Sequence, residues 1–194
     1  MRPHESSSDP GLPMPRDVGT VAPDRAGWAL AYVKQGSSDF AMYQLLSGIP
    51  RVPICHLLHY LQMAGEKVAK AYRFRDTDTA EDRLTTEHVA FSRFMQSYLG
   101  SPEIKQRYAG KDEQLREVVK VARKLAREIE KLAPAVDRDT SPANTEYPWL
   151  DDGRVVVPCE FEYPNLTLLT ESGGRTFLRL LEMAITDFER IRIY

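Results

Sequence analysis

Cysteine is scarce in this 194-residue chain, which has 2. Cys55 and Cys159 form neither a CxxC pair nor a Cys/His spacing suited to zinc, so no structural zinc and no dithiol motif is expected. Both are read as free thiols in a reducing cytoplasm. Long apolar runs are missing too. Nothing approaches the roughly 20 residues that cross a bilayer, which excludes a transmembrane helix. Nor does one sign of charge dominate. With 26 Lys and Arg against 28 Asp and Glu the net charge is -2, short of the cationic surplus that sequence-independent binding to duplex phosphates demands. That average says nothing of a local basic patch.

What is present is mostly helical periodicity. The opening stretch MRPHESSSDPGLPMPRDVG is rich in Pro, Ser and charge without a signal peptide's apolar centre, and a disordered tail is predicted over residues 1–26. One domain over residues 27–194 follows, long enough to bury a core unaided. A first helix is predicted from Gly27 to Leu46, with GSS at Gly36 to Ser38 as a point of bending or breakage. The second starts near Pro53, whose missing amide hydrogen is not needed in a first turn. Its apolar stripe, Ile54, Leu58, Leu61, Gly65, Val68 and Tyr72, steps by three and four, and Gly65 within it predicts a close helix contact. The third begins in RDTDTAEDRLTTEH, capped either by Thr79 or by Thr85 or Thr86. It runs through Phe91, Met95 and Tyr98 until Gly100 and Pro102 stop it.

A fourth helix carries Leu115, Val118, Ala122, Leu125, Ile129 and Leu132 on one face and ends before Pro134. Its other faces hold Arg116, Lys120, Arg123, Lys124 and Arg127 with Glu117, Glu128 and Glu130 interspersed, the pattern of a solvated charged face. From Asp137 to Gly174 the period disappears. Pro142, Pro148, Pro158 and Pro164 punctuate a long loop in which RVVV and EFEY suggest a short β-hairpin. A last helix from Arg175 to Ile191 closes the bundle. The predicted fold class is all-α: an up-and-down bundle of four to five helices with a long loop or short β-hairpin before the last.

The run HYLQMAGEKVAKAY, His59 to Tyr72, resembles the second helix of the HEPN superfamily of nucleotide-binding helical domains, through Gln62, Glu66, Lys67, Lys70 and Ala71. Three shorter echoes stand in the family's order: SDF at Ser38 to Phe40, TEHV at Thr86 to Val89 and EYP at Glu146 to Pro148. In the last, Glu146 stands where such families often have arginine. The resemblance implies a helical bundle, commonly dimeric. The superfamily includes ribonucleases, toxins of toxin-antitoxin pairs, partners of nucleotidyltransferases and noncatalytic nucleotide binders.

Its catalytic members carry Arg, four to six residues, then His, and RLTTEH from Arg83 to His88 has an allowed spacing. Such a pair needs no metal: the histidine moves protons at the ribose hydroxyl and leaving oxygen while the arginine stabilises charge on the phosphate. Five residues on a helix lie about 140° apart, so the pair shares a face only if Arg83 precedes the helix. His88 also falls on the stripe with Phe91 and Met95, where a core or capping role is the plainer alternative.

Candidate ligand contacts are the aligned His59, Gln62, Glu66, Lys70 and Arg73 on the second helix, a face that is either solvated or borders a polar site. Lys67, Lys70, Arg73 and Arg75 are candidate phosphate contacts for a noncatalytic binder. Tyr147 and Trp149 in EYPW either stack on a base or anchor the loop. Asp151 and Asp152 precede Gly153 and read as a turn. No metal or cofactor is expected. The function anticipated is a cytoplasmic, dimeric, noncatalytic module that binds a nucleotide, RNA or a nucleotidyltransferase-type protein; the alternative is a metal-independent, toxin-like ribonuclease using Arg83 and His88.

Overall fold

The computed structural model describes residues 24–86, 90–133 and 136–194. The first helix starts slightly before its predicted limit, because Asp24 caps it by accepting the Gly27 N–H at 2.7 Å. That helix, α1 (Arg25–Ser47), is continuous. The GSS segment does not break it: Gly36 is buried, and a Cβ there would meet Val68 Cγ2 at 3.0 Å and the Ala64 carbonyl at 3.3 Å. The glycine lets α1 lie close against α2 (Ile54–Asp76), with which it makes its main contact.

Helix α2 is the centre of the molecule and packs against the first, third, fourth, sixth and seventh α-helices. Its predicted stripe is buried except for Ile54, and burial spreads to Gln62, Lys70 and Arg73. Gly65 has the close contact expected of it, since an added Cβ would lie 2.8 Å from the Phe91 ring. The predicted third helix is two, α3 (Glu81–Thr86) and α4 (Phe91–Leu99), with residues 87–89 outside the described chain. Thr85 and Thr86 do not cap a helix start. Both hydroxyls donate to the Asp82 carbonyl inside α3, so Arg83 is helical. Gly100 ends α4 as expected, whereas Pro102 also begins a helix, α5 (Pro102–Arg107), whose Ile104 N–H is taken by the Ser101 hydroxyl.

Helix α6 (Asp112–Glu130) buries Ala122, Leu125, Ala126 and Ile129 and matches the fourth predicted helix. The hairpin is real but small. Strands β1 (Trp149–Asp151) and β2 (Arg154–Val156) pair antiparallel, and Asp152 and Gly153 both have positive φ, as a type I′ turn requires. The EFEY segment lies outside the strands, running from the last residue of a 3-10 turn at Pro158–Glu160 to the start of another at Pro164–Thr170. The last helix, α7 (Ser172–Thr186), starts and ends a little before its predicted limits and buries Phe177, Leu181 and Ala184. The whole is a mostly helical bundle with a short hairpin before the last helix, and its apolar residues form one core.

The chain's final residues clasp the end of α2. Tyr72 donates to the Ala184 carbonyl at 2.8 Å. The Arg75 guanidinium lies between the Tyr72 and Phe188 rings, 4.6 and 4.4 Å from their centres, and donates to the Ile191 carbonyl. Asp76, with only 1% of its side chain exposed, accepts from Arg75, from Arg192 at 2.9 Å and from the Ile193 N–H at 3.2 Å. Burial alone would raise this carboxyl's pKa, but those hydrogen bonds win and hold it below the usual range. Arg75, a candidate phosphate contact in the sequence, is enclosed here and has a structural part. Among the described residues no helix is long and apolar enough to cross a membrane.

Candidate functional site

The polar residues aligned on α2 do come together, but between helices. Glu66 accepts from Gln62 at 3.0 Å and pairs with Lys70 at 3.1 Å. Lys70, whose side chain is 4% exposed, also donates to the Thr85 carbonyl of α3 at 3.1 Å and lies 5.7 Å from the Tyr32 ring centre. Burial, then the Glu66 charge, push the Tyr32 hydroxyl pKa up. One turn away, Lys67 pairs with Asp39 at 2.5 Å, and Asp39 accepts from Gln35 at 3.1 Å. The two ammonium charges are thus balanced inside the bundle, where an ion pair of this kind fixes how α1, α2 and α3 sit together. Arg73 is buried near the end of α2.

His59 and Glu146 approach to 3.3 Å without the alignment of a hydrogen bond, joining α2 to the EYP segment. That segment is shaped by Asn144, whose side chain accepts from the Glu146 and Tyr147 N–H groups and donates to the Pro142 and Tyr147 carbonyls. Trp149 packs edge-on against Phe161, ring centres 5.1 Å apart, and so anchors the loop. Tyr147 does not; it is 68% exposed beside a cavity of about 450 Å³ whose wall also includes Trp149, Arg138 and Glu146. Arg83 is exposed on α3. His88, the other half of the candidate catalytic pair, lies outside the described residues.

A second polar region is the charged face of α6, which the sequence pattern predicts to be solvated. Arg116, Lys120, Arg123 and Arg127 recur every three or four residues and form one stripe on α6. With Lys124 beside them they wall a groove of about 680 Å³, whose floor includes Leu99 of α4 and Leu115 and Val119 of α6, while Lys105 of α5 faces it. The interspersed glutamates offset the stripe only in part, although Glu128 also lines the groove. Glu130 is turned to the start of α4, accepting from the Ser92 N–H at 2.7 Å and its hydroxyl at 3.0 Å. Glu128 pairs with Lys131 at 2.8 Å, and Glu117 reaches only Lys120, at 3.8 Å. Among the described residues Arg116, Arg123, Lys124, Arg127, Arg93 and Lys105 have no carboxylate partner.

Cation spacing was therefore legible in the sequence. Which way each glutamate turns was not, because the partners of Glu130 and Glu128 are decided by the packing of α4 and by the end of α6. Such an array attracts phosphate or carboxylate groups, and guanidinium forks favour phosphate through paired N–H donors. Among the described residues no three His, Cys, Asp or Glu side chains are grouped to hold a metal. Cys55 is buried, which raises its thiol pKa, and Cys159 is exposed; neither is in a disulfide. No family model, curated protein or solved structure matches the chain significantly.

Proposed function

We propose that the protein is a HEPN-like helical bundle acting as a noncatalytic binding module for phosphate-bearing ligands, nucleotide or single-stranded RNA, which it takes along the α4–α6 groove. The observation that carries this reading is the row of basic side chains over an apolar floor, in which cations outnumber the one lining carboxylate, Glu128, itself paired with Lys131. Stripe residues Arg116 to Arg127 span about 16 Å at the helical rise of about 1.5 Å per residue, a length suited to several successive phosphates. The apolar floor offers contact to sugar and base. By contrast, Lys67 and Lys70 already have carboxylate partners, so the α2 face serves the bundle's interior.

Binding of an internally labelled oligouridine, followed by anisotropy, tests this. If four phosphates are contacted, the logarithm of affinity should fall against the logarithm of salt concentration with a slope of about -3, from roughly -0.7 per phosphate of a single strand. Arg116→Glu with Arg123→Glu should abolish binding while leaving the circular dichroism unchanged. Binding that is insensitive to that pair of reversals, or absent at low salt, would remove the groove from consideration. Recovery of intact RNA after incubation in EDTA distinguishes a binder from a ribonuclease using Arg83 and His88.

A further inference from the structure

The groove has a distinct end. Where α4 meets α6 it continues into a smaller pocket of about 190 Å³, lined by Ser92, Arg93, Gln96, Arg123 and Arg127. Gln96, Arg123 and Arg127 line both spaces, so the two are contiguous. Among the described residues the walls of this pocket include three guanidinium groups and one amide but no carboxylate and no apolar side chain. Ser92 is fixed by Glu130, which accepts from its hydroxyl and N–H, and among the described residues Arg93, Arg123 and Arg127 have no carboxylate partner. The space, about 190 Å³, is enough for a phosphate group and some of its hydration.

We propose that this pocket is a subsite for a terminal phosphomonoester, the phosphorylated end of a single-stranded nucleic acid whose backbone follows the α6 stripe. The inference rests on the groove reading and deepens it. A phosphate inside a chain is a diester, with a single charge and an exit needed on each side. A terminal monoester carries a charge of about -1.5 to -2 near neutral pH, offers three acceptor oxygens and needs only one exit. Three guanidinium groups from two helices supply donors enough for three oxygens, and the shared residues Gln96, Arg123 and Arg127 lead from the pocket into the groove. A phosphorylated peptide would present the same group, but Arg116, Lys120 and Lys124 farther along the groove call for repeated anions, which a nucleic acid supplies at every residue.

The experiment compares three internally labelled ten-nucleotide RNAs of one sequence: 5′-phosphorylated, 3′-phosphorylated, and with hydroxyls at both ends. Wild type should bind at least one phosphorylated RNA about tenfold more tightly than the unphosphorylated one, a difference within reach of charge-assisted hydrogen bonds. Arg93→Ala should bring that ratio to about one. Lys120→Ala should weaken all three RNAs and preserve the ratio, which separates a subsite from a general effect of charge. Circular dichroism of both variants checks the fold. Equal binding of the three RNAs by wild type overturns the subsite and leaves the groove reading standing; no binding of any overturns both. A serine-phosphorylated peptide that binds as tightly as the phosphorylated RNA overturns the assignment to nucleic acid.

Discussion

Gly65 and Phe91 show how a single position can set the distance between two helices. Alanine has the better helical propensity by about 1 kcal/mol, yet its methyl group at position 65 would lie 2.8 Å from a ring that is 2% exposed and flanked by Phe94 and Phe177. Gly65→Ala should therefore lose about 1 to 2 kcal/mol in urea unfolding, the cost of overpacking exceeding the gain in propensity. Gly174→Ala should lose more, because there the added carbon would meet the Leu168 carbonyl oxygen at 2.2 Å, and backbone cannot swing aside. An unchanged or raised urea midpoint for Gly65→Ala would mean that the Phe91 ring has room to move. The first glycine was legible in the sequence because it interrupts an apolar stripe. The second was not: it lies at the limit of the aperiodic stretch, and its neighbour is a 3-10 turn that no periodicity marks.

At the scale of elements, legibility followed the number of regular turns. Helices α2, α6 and α7 repeat their apolar spacing often enough to be read, and α5 does not; it depends on a serine cap and a proline in its first turn. The long connection from Asp137 to Tyr147 has its own organiser, which pattern reading passed over. Arg138 donates through Nη1 to the carbonyls of Lys131, Ser141 and Ala143 and through Nη2 to those of Leu132 and Ala133. One planar cation thus caps the negative end of α6 and gathers the following loop. Arg138→Ala should cost about 2 kcal/mol and speed amide exchange across residues 139–147. Arg138→Lys should rescue little of either, since a point cation cannot serve carbonyls arranged around a fork. Exchange rates unaltered in both variants would show that the Asn144 turn holds the loop alone.

For the whole molecule, a net charge of -2 conceals a segregated surface. Counting charges along α6 gives a mixed helix, and only the placement of α4 and of Lys131 engages Glu130 and Glu128 and leaves most of the stripe's cations without a carboxylate partner among the described residues. The α2 residues were legible as a row, while their enclosure between α1 and α3 was not, because that depends on elements far along the chain. Acid should act on the fold through the clasp at Asp76. A carboxyl held below its unfolded pKa contributes stability that is complete above the unfolded value, about 4, and is lost as pH falls through the folded value. The stability gap between wild type and Asp76→Asn should be level above about pH 5 and close on further acidification. A gap that persists at the lowest pH at which both remain folded would show that the carboxylate's charge is not what the clasp uses.

The same clasp has a bearing on how the chain is made. Arg75 and Asp76 wait for Ile191, Arg192 and Ile193, which stand more than a hundred positions later. At a synthesis rate of about 5 to 20 residues per second, the central helix spends on the order of ten seconds with its charged end unmet. Completion of the bundle thus waits for the segment after α7 to be made, and a chain lacking Ile191 to Ile193 would keep that end of α2 in the waiting state.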